Sequence, residues 1–177
     1  YLGAVVTEAE FESDPAVIDL LDRLTEIMAA DGDLAEVVSD RGLDVVHDAP
    51  PVHFRPDQLD TIMTETTTYR WGSAALEPQS LELRATTFAE AVAERFVSTY
   101  DDADTSIRFN RAEVGPNGIL AEHVIPFELT GFNFVSAYDP GDVELYDGLD
   151  WTAWYVSIDY ENGKPVVVAL TINRWSP

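Results

Sequence analysis

The stretch that decides the fold is residues 151–177, WTAWYVSIDYENGKPVVVALTINRWSP. It holds two runs rich in β-branched and aromatic residues, and Asn162-Gly163 separates them. Asn-Gly between two such runs is the strongest short-range signal for a β-hairpin with a two-residue turn. We therefore expect two long antiparallel strands here.

A two-residue turn fixes which residues face each other across this hairpin. The expected pairs are Glu161 with Lys164, Tyr160 with Pro165, Ile158 with Val167, Tyr155 with Leu170, and Trp151 with Arg174. Because side chains alternate between the faces of a strand, both faces of the hairpin are apolar. We expect helices to cover one face, and packed side chains, a ligand or a second chain to cover the other. Pro165 indicates a local sheet edge, since proline cannot donate to a further strand.

Composition restricts the partners of the chain. Its 177 residues fit one domain, so residues 1–177 are assigned to a single domain. The net charge is −23, and Lys164 is the single lysine. Such a surface repels nucleic acid and anionic membranes, which excludes both as partners. Since no run approaches the ~18 apolar residues of a membrane span, we also expect no membrane insertion.

Two alternatives for the cellular compartment fit the composition. A halophile's cytoplasm explains the acidity, because salt screens the repulsion between carboxylates. An exported protein explains it as well, and the absence of cysteine fits either case. Since the sequence starts at Tyr1 without methionine, we expect an extracytoplasmic protein, secreted or anchored through a removed N-terminal segment.

The chain divides into three parts: an extended lead-in over 1–12, a mainly helical layer with short strands over 14–100, and a sheet over 104–175. A first helix begins at Asp14-Pro15, and its apolar stripe is Val17, Leu20, Leu21, Leu24, Ile27 and Met28. Another begins at Thr87, which has capping-box spacing to Glu90. Further strands are expected at Leu43–His47, around 69–71, and at 105–114, 119–129 and 132–138.

Helices followed by long strands predict an α+β fold, with N-terminal helices packed on a strongly curved antiparallel sheet. The end of the chain combines Trp151 and Trp154, the run DYENGK at 159–164, the apolar run 166–170 and RWSP at 174–177. This pattern resembles the last hairpin of NTF2-like (cystatin-like, SnoaL-like) domains of the exported bacterial type. The resemblance implies a cone, in which a curved sheet wraps helices around a pocket. The family includes isomerases, cyclases and dehydratases, and also non-catalytic binding or dimerisation modules.

Three histidines are candidates for chemistry. His123 shares a strand face with Ala121 and Ile125, and it is the best candidate for a general acid or base if it points into a cavity. The alternative is a structural, hydrogen-bonded histidine. His47 and His53 are close in sequence, but zinc would need further ligands, so we interpret His47 as a loop histidine and expect no metal or cofactor.

A group of carboxylates and a group of aromatic residues are further candidates for binding. The carboxylates of the 139–150 loop could bind calcium, although their spacing fails the EF-hand pattern. Aromatic residues on predicted strands are expected to line a pocket for an apolar small molecule, with a well-packed core as the alternative. The pocket residues are Tyr69, Trp71, Phe134, Trp154 and Tyr155.

The favoured hypothesis is a non-catalytic, extracytoplasmic NTF2-like module that binds a small apolar ligand or a partner protein through its curved sheet. One alternative is an enzyme of the same fold, with isomerase- or dehydratase-type acid–base chemistry that uses His123. Another is a structural homodimer whose interface is the outer face of the sheet.

Overall fold

The computed structural model describes residues 6–47, 51–71, 85–102, 104–111, 129–141 and 151–174. Its helices are α1 (Glu8–Ser13), α2 (Pro15–Ala29) and α3 (Glu94–Tyr100), with a π-helical turn at Ala89–Ala93 and 3-10 turns at Leu34–Glu36 and Pro56–Gln58. The strands are β1 (Leu43–His47), β2 (Val52–Phe54), β3 (Tyr69–Arg70), β4 (Ala85–Thr86), β5 (Ser106–Phe109), β6 (Asn133–Asp139), β7 (Thr152–Glu161) and β8 (Lys164–Arg174). The predicted α+β class, with helices packed on a curved sheet, is confirmed.

Local sequence explains where the helices begin. Asp14 caps α2, and its Oδ1 accepts a hydrogen bond of 2.9 Å from the backbone N–H of Ala16. The whole predicted apolar stripe of α2 is buried. Thr87 and Glu90 form the predicted capping box ahead of the helical segment that ends in α3. Residues 8–12 differ from the expected extended lead-in, because a capping box between Thr7 and Glu10 starts α1 there.

The main sheet has six strands in the order β2-β1-β8-β7-β6-β5. Neighbours are antiparallel except β1 and β8, which run parallel. The sheet is therefore mixed, and β1 and β2 extend the antiparallel part that the sequence predicts over 104–175. The strand predicted at 119–129 lies almost entirely outside the described residues.

A β-bulge corrects the predicted register of the hairpin. Near the turn, Glu161 pairs with Lys164 and Ile158 with Val167, as predicted. The next residue of β7, Ser157, pairs with Ala169, so Val168 is an extra residue on β8. Beyond this bulge the pairing is offset by one: Tyr155 faces Thr171 instead of Leu170, and Arg174 faces Thr152 instead of Trp151.

The bulge changes which side chains of β8 meet the helices. One face of the sheet, here called the helix face, packs against α2 and α3 in the main core. Val167 reaches this core before the bulge, and Leu170 and Ile172 reach it after the bulge. Val167 and Leu170 are three positions apart, so strict alternation without a bulge would place them on opposite faces. The bulge thus keeps the large apolar side chains of β8 in one core.

The opposite face of the sheet, here called the second face, is also apolar, as the sequence predicts. Ala153 and Tyr155 are fully buried there in a cluster with Trp151, against which Phe134 and Tyr138 pack. A separate cluster joins Val46, Ala169 and Leu129, with Phe132 against it. The second face is therefore buried over part of its area and is not a solvated surface.

Pro165 lies where it is tolerated. It pairs with Tyr160, as predicted. On the other side of β8, the pairing with β1 begins at Ala169, and an isolated parallel bridge joins Val38 to Val167. Both contacts lie beyond Pro165, so its missing N–H falls at the free end of the strand.

A side-chain hydrogen bond joins the hairpin to the start of α2. The hydroxyl of Tyr160 donates to Oδ2 of Asp14 at 2.7 Å, while Oδ1 of the same carboxylate caps the helix. Burial, together with this hydrogen bond to Asp14, raises the pKa of Tyr160 well above its ordinary value of 10.0. One carboxylate therefore stabilises both the helix N-terminus and the hairpin.

No helix in the described part of the chain is long and apolar enough to cross a membrane.

Deletion of Val168 should leave the protein folded, with a loss of about 1–3 kcal/mol. Strand β8 then alternates regularly opposite β7, so its other core side chains keep their face and only the buried side chain of Val168 is lost. Deletion of Ser157, on the strand that has no extra residue, should instead destabilise the protein by more than about 4 kcal/mol, because it turns Val156 and Trp154 to the second face. Chemical denaturation followed by circular dichroism measures both losses. Equal losses in the two variants would show that Val168 is not the extra residue of the bulge.

Tyr160→Phe should lower the free energy of unfolding at pH 7 by about 1–2 kcal/mol, because it removes a hydrogen bond to a carboxylate. A raised pKa in the folded state means that the contribution of Tyr160 is complete below about pH 10 and is lost as pH rises through the folded-state pKa. The variant should therefore lose less stability than the native chain between about pH 9 and 11. Denaturation curves across this range measure the difference.

Tyr100→Phe is the matched control. Burial, and to a smaller extent the charge of Asp22, also raises the pKa of Tyr100. The Tyr100 hydroxyl, however, has no hydrogen-bond partner among the described residues. This variant should keep its stability at pH 7 within about 0.5 kcal/mol. A loss as large as that of Tyr160→Phe would assign the effect to packing and not to Asp14.

Candidate functional site

A cavity of about 410 Å³ lies where the second face meets the β1–β2 edge of the sheet. Its walls come from four parts of the chain: the loop before β1, the paired strands β1 and β2, the 129–132 turn, and strand β8. The lining residues are Ser39, Arg41, Gly42, Asp44, His53, Leu129, Gly131, Phe132 and Val168. One wall is polar and the other is apolar.

The polar wall is centred on a histidine and an aspartate. Asp44 on β1 pairs directly with His53 on β2 in the antiparallel register. Their Nδ1 and Oδ1 atoms are 2.8 Å apart, and the side chains are 51% and 38% exposed. An ionised carboxylate can only accept hydrogen bonds, so Nδ1 carries the proton in this pair. In the neutral ring, Nε2 is then a hydrogen-bond acceptor.

Gly42 lies close to the imidazole ring of His53 and to the backbone of β2. It adopts a φ of +99°, a left-handed conformation that favours glycine. A Cβ atom here would lie 2.2 Å from the carbonyl oxygen of Phe54 and 3.2 Å from Nε2 of His53. Glycine thus permits β2 and the imidazole to lie directly over the loop.

An ionic network fixes the loop that carries Ser39 and Arg41. The guanidinium of Arg41 donates to Oδ2 of Asp159 at 2.6 Å, and its Nε donates to Oγ of Ser39 at 3.1 Å. The Ser39 hydroxyl donates to Oε1 of Glu161 at 2.6 Å. Backbone bonds between the Ser39 N–H and the Val167 carbonyl, and between the Val167 N–H and the Val37 carbonyl, add to this attachment. The loop is therefore held against the end of the hairpin.

The apolar wall depends on the bulge. Val168 lines the cavity together with Leu129 and Phe132. Both of these residues also pack in the small cluster formed by Val46 and Ala169. The extra residue of β8 thus adds an apolar side chain to the second face at the point where the cavity opens.

The pocket residues predicted from sequence are divided between the two faces of the sheet. Trp154 is fully buried in the main core, where its ring meets Phe96 edge-on at 5.3 Å. Tyr69 and Trp71 belong to the same core, through contacts with Phe54. Phe134 and Tyr155 pack together on the second face, with ring centroids 5.9 Å apart. None of the five lines the cavity described above.

The histidines are likewise separated. His47 is buried at the end of β1, next to Ile172 in register, so it lies on the helix face, whereas His53 lies on the second face. The two therefore do not form a shared metal site. His123 and most of the acidic 139–150 loop lie outside the described residues. Within the described ranges, there is no group of three or more histidines and carboxylates that could hold a metal ion.

Sequence reasoning missed the pairing of Asp44 with His53 and the role of Gly42. A signal was present, because Leu43–His47 and Val52–Phe54 flank a short Pro-rich segment and can form a hairpin that places residues 44 and 53 opposite each other. The contribution of Arg41 and Val168 had no such local signal, since it depends on strands far apart in sequence.

No family model, no curated protein and no solved structure matches the chain.

Gly42→Ala should destabilise the fold by about 2–4 kcal/mol and displace His53 from Asp44. The new methyl group would overlap the Phe54 carbonyl, and alanine is strained at this φ. Unfolding curves measure the stability, and the imidazole NMR signals of His53 report its contact with Asp44.

Gly131→Ala is the control within the same cavity. A Cβ atom at Gly131 meets nothing within 4 Å. The change should therefore alter stability by less than about 0.5 kcal/mol and leave the His53 signals in place. Equal effects of the two substitutions would refute the specific role of Gly42.

Proposed function

We propose that this chain is a non-catalytic, NTF2-like module that binds a small, largely apolar molecule in the cavity beside His53. The observation that carries the proposal is the two-sided lining: Leu129, Phe132 and Val168 on one wall, and Asp44 with His53 on the other. Apolar walls with a few placed polar groups are the usual composition of small-molecule sites.

The size of the cavity supports a small ligand. Its volume of about 410 Å³ falls within the range of ~300–1,000 Å³ that is typical of ligand pockets. A drug-sized molecule fits this volume, whereas a protein partner would need a much larger contact area. The small-molecule alternative is therefore preferred over a partner protein.

The rigidity of the walls also supports binding. Asp44 and His53 lie on paired strands, and Ser39 and Arg41 are fixed by hydrogen bonds to the hairpin. Groups that are already held in position lose little conformational entropy when a ligand binds. A preformed site of this kind favours recognition of one molecular shape.

The NTF2-like part of the proposal is supported by the layout of helices packed on a curved sheet. The cavity, however, lies on the second face and not between helices and sheet. On the helix face, Trp154, Phe96 and their neighbours form a packed core. The proposed ligand site therefore differs from the cone interior that the resemblance implies.

An acid–base enzyme of the same fold remains the alternative proposal. Its specific support is the pairing of His53 with Asp44 beside a cavity, because a carboxylate that fixes one imidazole nitrogen leaves the other free to exchange a proton. His53 takes the place that the sequence hypothesis gave to His123. We prefer a binding function, because the described residues place no second acid or base across the cavity from His53.

Nile red, a neutral apolar dye, should bind the native chain with a dissociation constant of about 10 μM. This value assumes a binding free energy of about 0.3 kcal/mol per non-hydrogen atom for a ligand of this size. Gly131→Trp should abolish binding, because Gly131 lines the cavity and the space at its Cβ position is open, so that an indole there can occupy the cavity. Dye fluorescence and unfolding curves measure binding and folding.

Two controls make this test specific. Gly131→Ala should bind the dye like the native chain, since it leaves the cavity open. Ile18→Asp and Ile107→Asp remove the exposed large apolar side chains found elsewhere in the described residues, and they should not alter binding. The proposal fails if Gly131→Trp folds normally and still binds the dye, or if the isoleucine variants lose it.

A further inference from the structure

We infer that the cavity selects a molecule whose apolar body carries a hydrogen-bond donor, a hydroxyl or an amine, and that it discriminates against carboxylates. The donor would bind Nε2 of His53. This inference rests on the proposed function, since it specifies the ligand class of the same cavity.

The first argument is the tautomer of His53. Oδ1 of Asp44 accepts a hydrogen bond of 2.8 Å from the Nδ1–H group of His53, which leaves Nε2 as the acceptor of the neutral ring. Nε2 has no hydrogen-bond partner in the described part of the chain. A Cβ atom at Gly42 would lie 3.2 Å from Nε2, and both Gly42 and His53 line the cavity. The half-exposed imidazole can thus offer this nitrogen to a ligand as an acceptor.

The second argument is that the nearby donors already have partners. Ser39 is almost fully buried, and its hydroxyl donates to Glu161. The guanidinium of Arg41 contacts Asp159, Glu161 and Ser39. A ligand carboxylate would have to compete with two carboxylates of the protein for this arginine. The polar wall therefore offers the ligand acceptors and not donors.

The third argument is charge. Asp44 lies on the cavity wall, and Asp159 and Glu161 lie behind Arg41. The chain as a whole carries a net charge of −23. Its field repels anions and lowers their concentration near the site, while it leaves neutral molecules unaffected and attracts cations. An anionic ligand is disfavoured both locally and at long range.

Three probes with the same apolar body test the inference at about pH 8. 4-Ethylphenol carries a donor, 4-ethylanisole replaces it with a methyl ether, and 4-ethylbenzoate is an anion. Each is titrated into the ¹⁵N-labelled full chain, and the amide signals of Gly42, Gly131 and Phe132 are followed by NMR. We expect 4-ethylphenol to bind about five- to tenfold more tightly than 4-ethylanisole, and 4-ethylbenzoate to bind most weakly.

Two variants assign the preference to the imidazole. His53→Phe keeps a ring over Gly42 but removes the acceptor, so 4-ethylphenol should bind only as tightly as 4-ethylanisole. Asp44→Asn can donate to Nδ1 and place the proton on Nε2, so it should reduce the preference for 4-ethylphenol while His53 stays in place. Circular dichroism and Nile red binding confirm that each variant is folded with an open cavity.

The outcomes separate this inference from the proposed function. Binding of none of the three probes, together with no binding of Nile red, would overturn both. If Nile red and the probes bind at the cavity but 4-ethylanisole or 4-ethylbenzoate matches 4-ethylphenol, the donor preference is wrong and the proposed function stands. A preference that persists in both folded variants would also overturn the role of His53.

Discussion

Strand β8 is hydrogen-bonded on both sides, and the rest of the molecule depends on these two pairings. On one side it meets β7 in the hairpin, and on the other it meets β1 in a parallel pair. The antiparallel strands thereby join the β1–β2 hairpin in a single sheet. Leu170 and Ile172 of β8 are buried in the main core, where the sheet packs against α2 and α3. The same strand supplies Val168 to the cavity.

Much of the fold is predictable, because the signals for it are local. The Asn-Gly turn, the caps at Asp14 and Thr87 and the stripe of α2 each depend on a few neighbouring residues. The bulge has no such local signal. The run 166–170 is apolar throughout, so alternation cannot show that one residue is extra. The predicted pairs are consequently right near the turn and wrong beyond Ser157.

The candidate site is less predictable than the fold, because contacts between distant segments create it. Arg41 and Asp159 are 118 positions apart, and they meet because β1 pairs in parallel with β8. Aromatic residues on predicted strands indicated a ligand pocket, yet Trp154 and Tyr69 pack in the core. The residues that line the cavity include a glycine and a half-exposed histidine, which are inconspicuous until the register places them together.

The central position of β8 has a consequence for biosynthesis. A ribosome releases the chain from its N-terminus, so all the described helices and all other described strands emerge before β8 does. Until β8 emerges, β1 lacks its parallel neighbour. Strand β7 likewise lacks a hydrogen-bonding partner along the edge that β8 will occupy. Contacts of such large sequence separation form slowly, and unpaired strand edges are prone to aggregate meanwhile. The high negative charge of the nascent chain would then limit aggregation, because like-charged chains repel one another until β8 has paired.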